Sequence, residues 1–559
     1  MSITNSGTIE STAGGQAIDL NDIVGPDNTS TITNNAGGLI KADDADGIRP
    51  GANATVVNAG TIYSDGAVGD SHDGIDFQEA PTGTVINEAG GLISGERHGI
   101  TTDGYVDVYN PAGATIIGRN GSGVGSDGTG KVVNYGTIIG GYNGSGTGDG
   151  DGVDIDNYAT VINYGTIKAE GAAGVDKNGQ TNESEGLALT GGGSVINEKG
   201  ALITSVQVGV TAGVSAVPMS VYNYGTIHGD EIGVRTSGNS TFYNYGSITS
   251  LGKAFESDIL NVSNISLYNY GQIVGSADAL YFAPTTNNFI YMSSGSVLSG
   301  NIENYGTTNF NVSSAYTLGN LITGNGELIK SGQGDLTLIF DNGPYFTGDT
   351  DVQAGTLTVD GSLASSKVTV QSGGMLDGRS TVGSVVVENN ASLQGGHDGT
   401  GTLTVDGNLQ QQAGSTLVAN GGLVSVTGQA DIASGARLMI AQDTLNNFAS
   451  VAKAGEYRVL SAAGGVNGTY ALANTVQISA FDTLIDAYDT NDVYLRAQQD
   501  RAFTPVALTR NQIATAGALD ALGGAGISSL VGLAGSDAQA RRAFDATSGE
   551  IHASARTAL

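Results

Sequence analysis

The chain of 559 residues contains no cysteine and no tryptophan, and only 8 prolines. Without cysteine there is no disulfide and no thiolate to build a structural zinc site. That absence fits a protein that crosses an oxidising compartment without forming crosslinks there. Basic residues are scarce, 22 against 54 acidic, so the formal net charge is −32. A charge of that sign repels the phosphates of nucleic acid and the surface of an anionic membrane. It favours solubility and divalent cations. No run approaches the ~18 apolar residues of a membrane-spanning helix. Met1 leads directly into a repeat, with no basic n-region and no apolar h-region, so a secretory signal would lie outside this sequence. Before residue 505 no stretch keeps a helical apolar period.

What the chain has instead is glycine, 89 residues of it, and one short pattern repeated twelve times in the first 310 residues. NYGTI stands at 134–138, 163–167 and 223–227, and variants begin at Asn5, Asn58, Asn244, Asn269 and Asn304. A longer form, as in NEAGGLI, begins at Asn34, Asn87, Asn110 and Asn197. Repetition at this period means a solenoid or an array. A second signal, glycine followed by an apolar residue, precedes most copies. Its distance to the next asparagine is 10 residues for Ile48–Asn58, Ile100–Asn110, Val124–Asn134, Val153–Asn163, Leu187–Asn197 and Val234–Asn244, and 12 for Ile75–Asn87, so this segment is nearly rigid. The other segment stretches from 7 residues (Ile227–Val234) to 20 (Ile167–Leu187). Two fixed sides and one elastic corner describe a coil of parallel β-strands, with insertions where the backbone can bulge into water.

The residue types agree. Short β-branched and aromatic runs such as TVIN, KVVN, SVYN and TFYN are separated by glycine and asparagine. Each asparagine is expected to stack on that of the next coil and pass amide hydrogen bonds along the stack. Tyr135, Tyr164, Tyr224, Tyr245, Tyr270 and Tyr305 are expected to stack in the same way. Both ladders read as structural. About 20 coils rising ~4.8 Å each would make a rod on the order of 100 Å long.

The pattern changes near residue 316. The stretch 324–361, GNGELIKSGQGDLTLIFDNGPYFTGDTDVQAGTLTVDG, resembles the passenger-associated transport repeat of bacterial autotransporters. Lys330, Gly332, Leu336, Tyr345, Gly348, Thr350, Gly355 and Leu357 hold the motif positions. Residues 401–417 and 455–470 resemble the C-terminal passenger region that seeds folding, and 491–498 its last strand. Residues 508–522 and 541–559 resemble the segment that enters the translocator. The resemblance implies a right-handed parallel β-helix passenger, displayed at the surface of a Gram-negative cell and anchored at its outer membrane by a C-terminal translocator β-barrel, which this sequence does not include. The expected organisation is a repeat β-helix over 1–315, transport repeat and folding region over 316–500, and a helical linker over 501–559. Leu508, Ile513, Ala516, Leu519 and Leu522 share one face of that linker's first helix. Gly523, Gly524 and Gly526 break it, and a helix resumes over 537–546. Without the barrel this segment is expected to be frayed or loosely packed.

Candidate chemistry is sparse. Two places before the apolar residue of the glycine signal stand Asp46, Asp73, His98, Ser122, Asp151 and Glu185 on successive coils, then Val208 and Ile232. In register, Asp46, Asp73 and His98 would lie about 5 Å apart. Polysaccharide-cleaving β-helices mount paired carboxylates in this way for acid/base work, and a solvated acidic corner is the other reading. In GDGDGVDID (148–156), Asp149, Asp151, Asp154 and Asp156 alternate with glycine and apolar residues in the manner of a Ca²⁺ loop, although no glutamate closes an EF-hand. A flexible acidic insertion explains the same residues, and 70–76 is a weaker echo. No G-x-S-x-G and no H-E-x-x-H occurs, and the histidines, His72, His98, His228, His397 and His552, are scattered. GSDGTGKV (125–132) fails as a P-loop because Val132 replaces the Mg²⁺-binding hydroxyl. The expected protein is a non-enzymatic surface adhesin with no cofactor beyond Ca²⁺. Its partners would be host glycans or matrix, or the same protein on a neighbouring cell. A polysaccharide hydrolase or lyase, or a plain stalk, is the alternative.

Overall fold

The computed structural model describes the whole chain except residues 24, 26–28, 67–71, 143–149, 172–182, 214–216, 258–262, 442–455 and 550–559. It divides into two units, Met1–Ile329 and Lys330–Leu559.

The first unit is a parallel β-helix with three strands per coil. A coil runs, for example, Ala54–Asn58, Thr61–Asp65 and Ile75–Asp76, and each strand pairs in parallel with its counterpart one coil on. The first ladder runs from Ser2–Asn5 to Thr307–Val312. The other two ladders share a second sheet and merge in the eleven-residue strand Gln272–Phe282, which carries a register shift between Val274 and Asp278. Alternation along each strand turns one residue inward and the next outward. The inward positions stack β-branched side chains into three fully buried columns, such as Val56–Val85–Val108–Val132, Ile62–Ile93–Ile116–Ile138 and Ile48–Ile75–Ile100–Val124.

The asparagine stack forms as expected. Eleven asparagines from Asn5 to Asn269 pass Nδ2 to the Oδ1 of the next, at 2.8 to 3.0 Å. Most of these amides also donate to a carbonyl one coil on, as Asn134 does to Thr166. The twelfth copy is an exception. Met292 and Val312 continue the column after Asn269, while Asn304 pairs with Phe282 in the other sheet. The tyrosines also stack: Tyr135 on Tyr164 at 4.3 Å, and Tyr224 on Tyr245 on Tyr270 at 4.9 and 4.8 Å. Tyr305 leaves the row and meets Tyr281 at a tilt.

The glycine of the second signal is explained by close approach rather than by backbone freedom. A Cβ on Gly99 would lie 2.5 Å from the carbonyl oxygen of Gly123, the oxygen that accepts from the Ile100 amide. The same clash recurs at Gly47, Gly74, Gly152, Gly186, Gly209 and Gly233, so these coils carry a glycine because the next lies directly on it.

The second unit keeps parallel ladders, for instance Val368–Val370 on Val385–Val387 and Gly374–Gly378 on Ser392–Gln394. It ends in antiparallel pairing of Asp492–Gln499 with both Asp482–Tyr488 and Glu456–Ala462. Lys330 is fully buried, with its ammonium donating to the carbonyls of Ser331, Gly332 and Ala354 at 3.1, 2.9 and 2.7 Å. Burial pushes its pKa down to about 8. Three helices follow: α1 (Arg510–Ala521), α2 (Ile527–Gly532) and α3 (Asp537–Thr547). They are not frayed. Phe481, Phe503, Val506, Ala516, Leu519, Val531, Ala540 and Phe544 close a core of their own, Thr509 and Gln512 form a capping box, and Gln512 bonds Asp545 at 2.9 Å. Of the five residues expected on one apolar face, two turn inward. Ala516 and Leu519 are buried, but Leu508, Ile513 and Leu522 are exposed.

Two expectations follow. Gly99→Ala should weaken the coil by about 3 kcal/mol through overpacking. Gly90→Ala has φ +86 and open space around it, and should cost only about 1 kcal/mol of backbone strain. Hydrogen exchange of the amides in 93–124 separates the two, and equal losses would defeat the close-approach account. For Lys330 the folded form loses its proton near pH 8 while the unfolded form keeps it to about 10.5. The unfolded state then binds more protons, so stability rises with pH across that window. Denaturant unfolding of wild type at pH 8 and 10 should show this gain relative to Lys330→Met.

Candidate functional site

The acidic column is assembled in register, because Ile48, Ile75, Ile100 and Val124 are mutual strand partners. At four of the six corners the side chain accepts from the backbone amide of its successor. Asp46 Oδ1 takes the Asp73 N–H at 2.8 Å, and Asp73 Oδ1 takes that of His98 at 2.9 Å. His98 Nδ1 takes that of Ser122 at 2.8 Å, and Asp151 Oδ1 that of Glu185 at 2.6 Å. Val208 and Ile232 follow in the column. The column is therefore a run of side-chain caps on the turn of the next coil. Gly121 and Gly125 leave the space in which the His98 ring lies. Desolvation pushes that ring's pKa down to about 4, so it is neutral and able to accept.

Asp46, Asp73 and Asp76 are all buried and bring one oxygen each within 4.8 Å, and among the described residues no other histidine, cysteine or carboxylate group of three converges so. Asp46 Oδ2 accepts from Arg49 Nε at 2.6 Å. Asp73 accepts from Arg97 Nε at 3.1 Å and Nη2 at 2.8 Å. Asp76 accepts from the amide N–H and the side-chain amide of Gln78, at 2.8 and 2.7 Å. All six oxygens thus have donors. Two arginines against three carboxylates leave one charge uncompensated, and burial pushes the Asp76 pKa up to about 6. The cluster offers substrate neither an open carboxylate nor a water-accessible acid, and a cation would have to displace the arginines. The Asp46 and Asp73 carboxylates considered for an acid/base role are thus held by arginine and backbone donors, and His98 by a backbone amide. Arg49, Arg97, Asp76 and Gln78 were not singled out from sequence. The available signal was that two of the few basic residues stand beside the column, in DGIR and ERHG.

Of the Ca²⁺ candidates, Asp149 lies outside the described residues. Asp151 is buried at the corner, Asp154 is half-buried on the strand Val153–Ile155, and Asp156 is exposed just beyond it. His72, His228 and His397 stand at separate places along the chain, and His552 lies outside the described residues.

The outward face of the first ladder holds a feature not predicted. Val57, Ile86, Tyr109, Val133, Ile162, Ile196, Tyr222, Tyr243, Tyr268 and Tyr291 are register partners in succession, a continuous apolar column along ten coils. All are half-buried except Tyr109, which is exposed. Beside it runs a column of small hydroxyls, among them Thr55, Thr84, Thr160, Ser194, Ser220, Thr241 and Ser266. Its two charges, Asp107 and Lys131, pair with each other at 3.7 Å. Tyr222, Tyr243 and Tyr268 stack at 4.9 and 4.8 Å, so their ring faces cover one another and only edges and hydroxyls meet water.

No protein-family profile and no characterised protein sequence matches this chain. Among solved structures it is similar to the crystal structure of the Haemophilus influenzae Hap adhesin, at 12% identity and a TM-score of 0.26, over 84% of this chain and 64% of that one. So loose a superposition adds nothing to the ladders themselves, which define the protein as a repeated parallel β-solenoid.

The closed acidic cluster makes a pH prediction. Folded Asp76 holds its proton up to about pH 6, whereas an unfolded aspartate releases it near 3.8. Stability of these coils therefore falls as pH rises from 4 to 6, by up to about 3 kcal/mol. Asp76→Asn keeps an acceptor for Gln78 and should flatten that slope and leave the coils firmer at pH 7. Hydrogen exchange of 46–101 at both pH values tests it, and an unchanged slope in the variant would refute it.

Proposed function

We propose that the protein is the surface-displayed passenger of an autotransporter and works as an adhesin, joining to a second copy of itself through the outward face of the first ladder. One observation carries the reading: in a chain of net charge −32, this face is uncharged along ten coils apart from one internal ion pair. Ten coils at ~4.8 Å give about 45–50 Å of length. With a width of about 15 Å the face offers on the order of 700 Å² per partner, close to the ~800 Å² of a standard interface. Regularly spaced hydroxyls and tyrosine edges match an identical face at the same spacing. Each contact is worth only about 1 kcal/mol, so affinity comes from multiplicity. The acidic remainder of each copy opposes association and is screened by salt. The autotransporter assignment rests on the motifs at 324–361 and beyond. Host glycans and matrix are competing partners. Polysaccharide cleavage is disfavoured at Asp46, Asp73 and Asp76 because their six oxygens all have donors.

The test is display on a non-aggregating Gram-negative cell, with settling followed over time. The double variant Ile162→Lys, Tyr243→Lys should slow settling at least several-fold, and a pair of lysines introduced on another outward face should not. Equal settling of wild type and the stripe variant would overturn the proposal. Added salt should speed settling. Calcium is a further arm: a Ca²⁺ requirement lost in Asp154→Asn, Asp156→Asn would assign the ion to the loop 148–156.

A further inference from the structure

The second unit carries a polar cavity of about 420 Å³, lined by Asp377, Gln394, His397, Asp398, Gly399, Asn420 and Ala441. That volume lies within the ~300–1,000 Å³ range of small-molecule sites. Its construction departs from the repeat. Asp377 stands on the strand Gly374–Gly378 next to the core residue Leu376, so alternation turns it outward, yet it is only 5% exposed. A two-residue hairpin covers it. His397 and Thr400 exchange backbone hydrogen bonds at 2.9 and 3.1 Å, and the turn residues Asp398 and Gly399 have φ of 50° and 73°. Asp-Gly with both φ positive is the preferred tight turn of such hairpins. The turn carries His397 in over Asp377. Nδ1 lies 3.4 Å from Asp377 Oδ2, and Nε2 lies 3.4 Å from Asp398 Oδ2. Arg379 fixes the turn by donating to the His397 carbonyl at 3.3 Å.

Some hydrogen-bonding capacity is left over here. Asp377 interacts with the Thr358 hydroxyl and with His397, and its Oδ1 lacks a partner of ordinary geometry. Gln394 follows Leu393, the strand partner of Leu376, as Asp377 follows Leu376, and both line the cavity. Asn420 is buried and uses its oxygen for the Gly422 amide at 3.1 Å, which leaves its N–H groups to donate.

We propose that this cavity binds one neutral pyranose, a hexose residue of a glycan. The wall alternates acceptors (Asp377, Asp398) with donors and amides (His397, Gln394, Asn420), and each sugar hydroxyl is both donor and acceptor. Among the described residues of the lining Ala441 is the one apolar side chain, so they give an apolar ligand little wall to bury against. An anion meets two carboxylates. A divalent cation would need those carboxylates on one side, and the imidazole stands between them. The site is separate from the outward stripe of the first unit, so either proposal can fail alone.

The test is saturation-transfer NMR on the full chain with methyl glucoside, methyl galactoside and methyl mannoside. At least one should receive saturation, and Gln394→Ala, His397→Ala should weaken binding at least tenfold. Both replaced side chains lie at the rim, half-buried, so the coil should survive, and an unchanged hydrogen-exchange pattern in 357–426 verifies that. Ile162→Lys in the first unit should leave the signal intact. No transfer to any of the three glycosides, or transfer undiminished in the double variant, would overturn the proposal.

Discussion

Everything in the repeat region depends on one constraint: each coil lies one strand spacing above the last, in register, so a residue type at a given place must stand on a copy of itself. Few side chains do this without penalty. Asparagine can, since its amide carries a donor and an acceptor and each copy satisfies the next. Isoleucine and valine can, by apolar contact alone. Tyrosine can, by offset stacking near 4.8 Å. Glycine is required where the next coil's carbonyl leaves no space for a Cβ. Aspartate cannot stand on aspartate unaided, and where Asp46 stands beneath Asp73 the structure supplies Arg49 and Arg97 and turns the spare oxygens onto backbone amides.

The asparagine ladder shows how such a stack acquires stiffness. A single amide–amide bond contributes about 1 kcal/mol net, but a missing rung strands buried groups on both sides at about 1–3 kcal/mol each. Asn134 has four hydrogen-bond partners within reach, among them Asn110, Asn163 and the Thr166 carbonyl. The stack therefore resists local opening more than any single bond would suggest. It ends where its logic ends. Beyond Asn269 the column passes to Met292, the tyrosine row tilts at Tyr291, and the second and third ladders fuse in one long strand.

The coil was legible in the sequence because its period is its fold. The nearly constant interval from glycine signal to asparagine, 10 residues in most copies and 12 from Ile75 to Asn87, is one side of the coil, and the register of Ile48, Ile75 and Ile100 could be read from the signal. What could not be read is instructive. Asn304 matches the motif but belongs to another ladder, because the merged strand Gln272–Phe282 shifted the count. Tyr305 left its row for the same reason. The burial of Asp46 and Asp73 was hidden, since an acidic corner in water and one capped by arginines share a sequence, and only the positions of Arg49 and Arg97 differ. The helical segment misled through period alone: Leu508, Ile513 and Leu522 fit one face, but the core is set by Phe503 and Phe544, which lie outside α1. The outward column of Val57 to Tyr291 was written in every TVVN, TVIN and SVYN. It was absorbed into strand propensity because β-branched residues serve both faces of a sheet.

Binding capacity is then expected where the demand for self-stacking is relaxed. Inward positions and corners are taken up by contacts with their own copies, so the carboxylates of Asp46, Asp73 and Asp76, however well aligned, already carry donors. The outward face is free of that demand along the strand and repeats it only sideways, which makes it suited to another regular surface. At Asp377 the chain departs from the coil by a two-residue hairpin, and the carboxylate beneath keeps unspent hydrogen-bonding capacity. The contrast with Asp73 is therefore one of surroundings rather than residue type. Both are buried aspartates beside a histidine, but Asp73 accepts from an arginine and a backbone amide at a closed corner, whereas Asp377, held by His397, lines a cavity.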